Sequence, residues 1–153
     1  MITKRAKYAM QAMVLLGRHL GPEPVQIAEL AERGHIPKKF LEGILLDLKN
    51  GGLLHSKKGK GGGYHLAQVP EKISVGEILR LIDGPLAPLS CVSKTAYAPC
   101  DDCPNVKACS IRMVMLRAHE ASLAILDATY LSDMVEYVQD STIERDELLM
   151  FYI

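Results

Sequence analysis

A chain of 153 residues fits one domain, or one small domain with an added oligomerisation arm. With 48% hydrophobic and 24% charged residues, two Phe and no Trp, it reads as an ordinary globular protein whose core comes from Leu, Ile, Val, Met and Ala. No apolar run approaches the ~20 residues that cross a bilayer, and no basic-then-apolar leader is present, so the expected location is the cytoplasm without membrane contact. The zero net charge hides an asymmetry. Residues 1–65 hold eleven Lys and Arg against five acids, and the remainder holds seven against thirteen. A basic first half suits a polyanionic partner, or simply a solvated basic surface.

In chain order, residues 4–20 carry an apolar face at helical period through Ala6, Ala9, Met10, Met13, Leu16 and Leu20. Thr3 is placed to cap this helix and Gly21-Pro22 to end it. A short helix over about 25–33 stops at Gly34. Another runs from about Pro37 to Asn50, with an apolar set of Phe40, Leu41, Ile44, Leu45 and Leu48 and with Gly51-Gly52 closing it. Helix, short turn and second helix form a helix-turn-helix pattern. Leu53 to Lys57 and Tyr64 to Ala67 read as two strands around the basic, glycine-rich tip Lys58-Gly59-Lys60-Gly61-Gly62-Gly63, a wing. Ser74 and Glu77 form a capping box before a helix that ends at Asp83-Gly84.

Residues 85–109 hold prolines, no apolar periodicity and all four cysteines. A loop of that length points to function. A long helix over about 106–128 follows, with polar Arg112, His119, Glu120 and Asp127 recurring at sevens and eights and apolar residues over most of the rest. A helix so apolar around its girth needs two packing partners, its own domain and a second subunit, the alternative being burial inside one domain. Ser132 starts a short last helix, and 139–153 is a polar tail ending in Leu148 to Ile153.

The second helix of a helix-turn-helix presents its N-terminal residues to base edges in the major groove. Those residues are Lys38, Lys39 and Glu42, with Gly43 leaving room for close approach. Lys donates to guanine or phosphate, and Glu accepts from cytosine N4. The wing offers Lys57, Lys58 and Lys60 to phosphate or the minor groove, and Tyr8 and Arg5 on the first helix are candidates for backbone contacts. A nucleotide-binding P-loop is excluded, because no Ser or Thr follows Lys60 and a strand comes next.

Cys91, Cys100, Cys103 and Cys109 are spaced C-x8-C-x2-C-x5-C. In a reducing compartment such a set suggests metal or redox chemistry rather than disulfides. Cluster iron accepts up to four thiolates, and a following helix N-terminus favours their charge. Zinc usually takes two short knuckles, of which only Cys100-x-x-Cys103 is present. Metal-free thiols are the third possibility. A thioredoxin-like role is disfavoured, because Asp101 and Asp102 between the two cysteines oppose thiolate formation.

Phe40-Leu41-Glu42, the Leu46–Leu53 stretch with Asn50-Gly51-Gly52, the Lys58–Tyr64 wing and Ser74-Val75-Gly76-Glu77 resemble the Rrf-two (Rrf2) family of regulators over about residues 2–135. The resemblance implies a winged-helix homodimer joined through the long helix and bound to semi-palindromic operators, with no enzymatic activity. In the family's cluster-binding members three loop cysteines hold an iron–sulfur cluster, and Cys91, Cys103 and Cys109 match them. The fourth ligand varies within the family. Lys7 stands where one branch has an acid and Arg112 where another has a His, which leaves Cys100, an exogenous ligand or nothing. The Ile82–Pro88 segment is similar instead to a cysteine-metabolism branch, some of whose members carry no cluster.

The expected fold is mainly α with a small β-wing. A winged helix-turn-helix domain covers 1–84, a cysteine-rich sensor loop 85–109, a dimerisation helix and short following helix 106–138, and a tail 139–153. The expected function is a homodimeric transcriptional regulator that binds double-stranded operator DNA. It would sense iron, redox or cluster status through a 2Fe–2S or 4Fe–4S cluster. The alternative is a metal-free regulator of cysteine or sulfur metabolism, answering a small molecule, a partner protein or thiol oxidation.

Overall fold

The computed structural model describes residues 2–139. Apart from Gln139, the tail expected over 139–153 therefore lies outside the described residues. Helix α1 (Lys4–Gly17) opens where Thr3 Oγ1 accepts from the Ala6 N–H at 3.1 Å, satisfying an otherwise unpaired amide of the first turn. Its buried face is Ala6, Ala9, Ala12, Met13 and Leu16. The helix stops at Gly17, short of the expected Leu20, which is left 94% exposed. Gly17 marks a close crossing: a Cβ there would sit 2.9 Å from Val135 Cγ2.

Helices α2 (Ile27–Gly34) and α3 (Lys38–Asn50) are joined by a tight turn in which His35 takes the left-handed conformation at φ 49°. Leu41, Ile44, Leu45 and Leu48 of α3 are buried in the same core as Ala9, Ala12, Met13 and Leu16 of α1. Phe40, expected among the apolar set, is instead 61% exposed. It lies roughly 90° around the helix from the centre of the buried stripe, too far to reach the core.

Strands β1 (Leu54–Lys57) and β2 (Gly63–Leu66) pair antiparallel, with Leu54 opposite Leu66 and Lys57 opposite Gly63. Val25 adds a bridge to Tyr64, with two backbone hydrogen bonds of 2.9 Å that fix the wing to the start of the helix-turn-helix. Gly63 permits that approach, since a Cβ would fall 2.3 Å from the Val25 carbonyl oxygen. Helix α4 (Val75–Asp83) begins as the capping box predicts, with Ser74 Oγ accepting from the Glu77 N–H at 3.1 Å.

After the loop, Cys109 caps α5 (Ser110–Ala128), so the long helix starts four residues later than expected; residues 106–108 form a separate 3-10 turn. At 1.5 Å per residue α5 is about 28 Å long. The chain then returns to the body, where Val75 donates to the Thr129 carbonyl and Leu131 to that of Ile73, each at 2.8 Å. A last helical stretch runs over 131–139 and buries Leu131 and Val135.

His119 is the buried residue of α5. Arg112 and His119 face the chain's own body, and Glu120 and Asp127 at its edge reach Lys94 (3.9 Å) and Arg80 (2.6 Å). The polar stripe is thus the intramolecular side. Ile111, Met113, Val114 and Ile125 are left more than half exposed on the other sides.

Candidate functional site

Two regions gather the residues that the sequence singles out. The first is a cleft of about 580 Å³ between the start of α2, one side of α3 and the wing. Lys38, Glu42 and Lys49 line it from α3, and Lys57, Lys58 and Lys60 line it from the wing. Five lysines thus surround a single carboxylate, so the cleft is strongly positive and suits a polyanion. Gln26 also lines it as the N-cap of α2, and its side chain makes no capping bond, leaving first-turn amides open to an acceptor.

Not every expected residue reaches this cleft. Lys39 points outward from the next face of α3 and is exposed. The Arg5 guanidinium is held by the Asp47 carboxylate, tying α1 to α3. Tyr8 is half-buried and packs against the core. Lys49 and Gln26 escaped the sequence reading, although Lys49 lies seven residues beyond Glu42 and therefore on the same helical face.

The second region is a cavity of about 290 Å³ at the start of α5, lined by all four cysteines together with Leu89, Pro104, Val106 and Arg112. Cys91 is buried in a 3-10 turn, and Cys100, Cys103 and Cys109 are half-buried. Arg112 pins this turn to α5 by donating from Nε to the Cys91 carbonyl at 3.0 Å. Cys109 Sγ accepts from the Arg112 backbone N–H at 3.4 Å. That N–H is the main reason its thiol lies below the usual cysteine range, and the Ile111 N–H, the Cys103 thiol and the Arg112 charge act the same way against burial. Cys100 is shifted the other way, first by its hydrogen bond to Cys91, then by burial and by the nearby Cys91, Cys103 and Asp102 charges.

Among the described residues, no three His, Cys, Asp or Glu side chains converge closely enough to hold a single metal ion. A soft donor set around a largely apolar cavity fits an iron–sulfur cluster, which spreads its ligands over several irons, better than one zinc ion. A larger cavity, about 970 Å³, is an open groove between the end of α1, the base of the wing and 131–139, and it gathers no cysteine.

Residues 2–137 match the family model of Rrf2, described as an iron-dependent transcriptional regulator. The chain belongs to the Rrf2 family. An rrf2-like HTH-type transcriptional regulator of Rhodobacter capsulatus is 44% identical over 138 residues, 88% of this chain and 92% of the relative. The fold is similar to that of Bacillus subtilis CymR, described as the global cysteine regulator, at a TM-score of 0.73 and 28% identity. The match covers 90% of this chain and 97% of CymR. It is also similar to T. potens IscR at a TM-score of 0.70 and 26% identity, over 92% and 90% of the two chains. This Rrf2 protein is a DNA-binding regulator of transcription and not an enzyme. The winged-helix architecture expected from the sequence is the one found. Among the described residues no helix is long and apolar enough to cross a membrane.

Proposed function

We propose that this Rrf2 protein is a cytoplasmic homodimer that grips double-stranded operator DNA with residues 1–84 and senses iron, redox or cluster status through an iron–sulfur cluster in the 85–109 loop. The observation that carries this reading is the meeting of all four cysteines at one cavity beside the start of α5. Cys91, Cys103 and Cys109 are the proposed ligands, with Cys100 as the fourth. When bound, a cluster of the 2Fe–2S or 4Fe–4S type would supply a charge that responds to oxidation state and to iron supply.

The chain's own residues carry the response. Arg112 holds the Cys91 carbonyl, so a shift of the cysteine loop is passed to α5. At its other end α5 holds Arg80 of α4 through Asp127. The exposed apolar sides of α5 supply the second-copy interface over 106–138, which sets the distance between the two α3 helices. That distance must match about one DNA turn. On the DNA, Lys38 and Glu42 reach base edges, Lys39 and the wing lysines Lys57, Lys58 and Lys60 take phosphates, and Lys49 joins them. Arg5 and Tyr8 serve this interface by bracing α1 against α3 rather than by direct contact.

Anaerobic purification with iron and sulfide analysis, followed by operator selection with and without the cofactor, tests the proposal. Protein without iron or sulfur-to-iron absorption would sink it. The alternative, a metal-free regulator of cysteine or sulfur metabolism answering a small molecule, partner protein or thiol oxidation, draws support from the four free thiols that line one cavity. Iron-free protein whose operator affinity falls on mild oxidation would favour it.

A further inference from the structure

The outward face of α3 carries two large apolar side chains that the fold does not use. Phe40 is 61% exposed and Leu46 49%, while the buried stripe of the helix is filled by Leu41, Ile44, Leu45 and Leu48. Gly43 stands between them. A Cβ at Gly43 would meet nothing within 4 Å, so no packing inside the chain requires a glycine there. A mid-helix glycine costs up to about one kcal/mol of helix propensity relative to alanine, and here nothing in the fold offsets it.

Phe40, Gly43 and Leu46 are spaced i, i+3, i+6, one oblique ridge across the exposed side of the helix. Lys39 stands on the same face, and the Leu46 end of the ridge adjoins the Lys38, Glu42 and Lys49 row of the cleft, while Phe40 lies at the far end from that row. Large apolar groups do not suit phosphate. In the major groove the apolar feature of a base edge is the C5-methyl of thymine. A glycine midway lets the helix backbone settle close enough for both side chains to touch the floor of the groove.

We propose that Phe40 and Leu46 are specificity-determining residues that read thymine methyl groups on either side of the Gly43 gap. This rests on the reading that α3 enters the major groove, and the test separates the two. The full chain selects duplexes from a random library, and each thymine of the selected duplex is then replaced singly by uracil, which removes only the methyl. At one or two thymines per half-site, uracil should weaken wild-type binding about fourfold, the worth of one buried methyl. Phe40→Ala and Leu46→Ala should each lose that discrimination at one of those positions while keeping the wild-type melting temperature. Uniform tolerance of uracil by the wild-type chain, or variants that still distinguish thymine from uracil, would overturn the proposal and leave the groove-binding reading standing; the ridge would then face a protein partner. A chain that selects no duplex overturns both.

Discussion

Arg80 Nη2 of α4 lies 2.6 Å from Asp127 Oδ1 of α5, directly over Gly76, where a Cβ would fall 1.9 Å from the same carboxylate oxygen. The glycine clears the space in which the ion pair forms. Both side chains are roughly 40% exposed, so solvent screens the pair and its worth to stability is at most about 1 kcal/mol. Its value is positional, because it joins the DNA-binding domain to the long helix at the end remote from the cysteines. Asp127→Ala is therefore expected to lower the unfolding free energy by no more than about 1 kcal/mol in urea titration. The same variant should reduce the difference in operator affinity between the iron-loaded and stripped protein. An unchanged difference would show that α5 does not act through this bridge.

On the proposed reading, the wing lysines supply sequence-independent attraction. Lys57 and Lys58 flank the cleft, neither forms an ion pair among the described residues, and their phosphate contacts would release counterions. Replacing both by Ala should weaken binding to every duplex alike and flatten the salt dependence by about 0.9 in log–log slope per lost contact. Fluorescence anisotropy over a salt series reads both effects. A loss confined to the selected operator would place these side chains at base edges instead.

Much of this DNA-binding half was legible because its signals are local. Thr3 and Ser74 cap the helices that follow them, and the glycines of the wing mark the hairpin from adjacent residues alone. The readings that shifted depend on residues distant in sequence. Arg5 looks free in a basic cluster, but its partner Asp47 is 42 residues away. Phe40 fits an apolar period but lies just outside the arc that the core covers. In α5 the spacing marks a polar stripe without saying which side it faces, and Cys91, Lys94 and Arg80 decide that it faces inward. Spacing likewise could not say that four cysteines spread over 91–109 would share one cavity.

The apolar sides of α5 predict how self-association can be lost without losing the fold. Val114 is 52% exposed and Ile125 68% exposed within one chain, so a charge at either leaves the protomer's own core intact. Val114→Glu and Ile125→Glu should each shift the protein from dimer to monomer in sedimentation velocity while keeping the wild-type helical circular dichroism. Operator affinity should fall with dimerisation, since one half-site contact is lost. A variant that remains dimeric would move the interface off this helix.

Two helical glycines should respond to alanine with opposite signs, and the contrast tests the packing of α1 and α3 together. At Gly43 the new methyl meets open space and the helix gains propensity, so Gly43→Ala should stabilise by about 0.5–1 kcal/mol. For a chain of this size that is a rise of roughly 1–4 °C in Tm. At Gly17 the same methyl would lie 2.9 Å from Val135 Cγ2 and 3.5 Å from Leu131 Cδ2. Val135 is β-branched and nearly fully buried, so it has little freedom to move aside, and 131–139 must lift from α1. Overpacking of this kind typically costs about 1–3 kcal/mol, which exceeds the propensity gain and should lower Tm. Differential scanning calorimetry of both variants decides the matter, and operator binding adds a second axis. Gly43→Ala should be the more stable protein and the weaker binder, whereas Gly17→Ala should bind normally wherever it remains folded. A Gly43→Ala variant with undiminished affinity would mean that the DNA does not approach the α3 backbone at that turn.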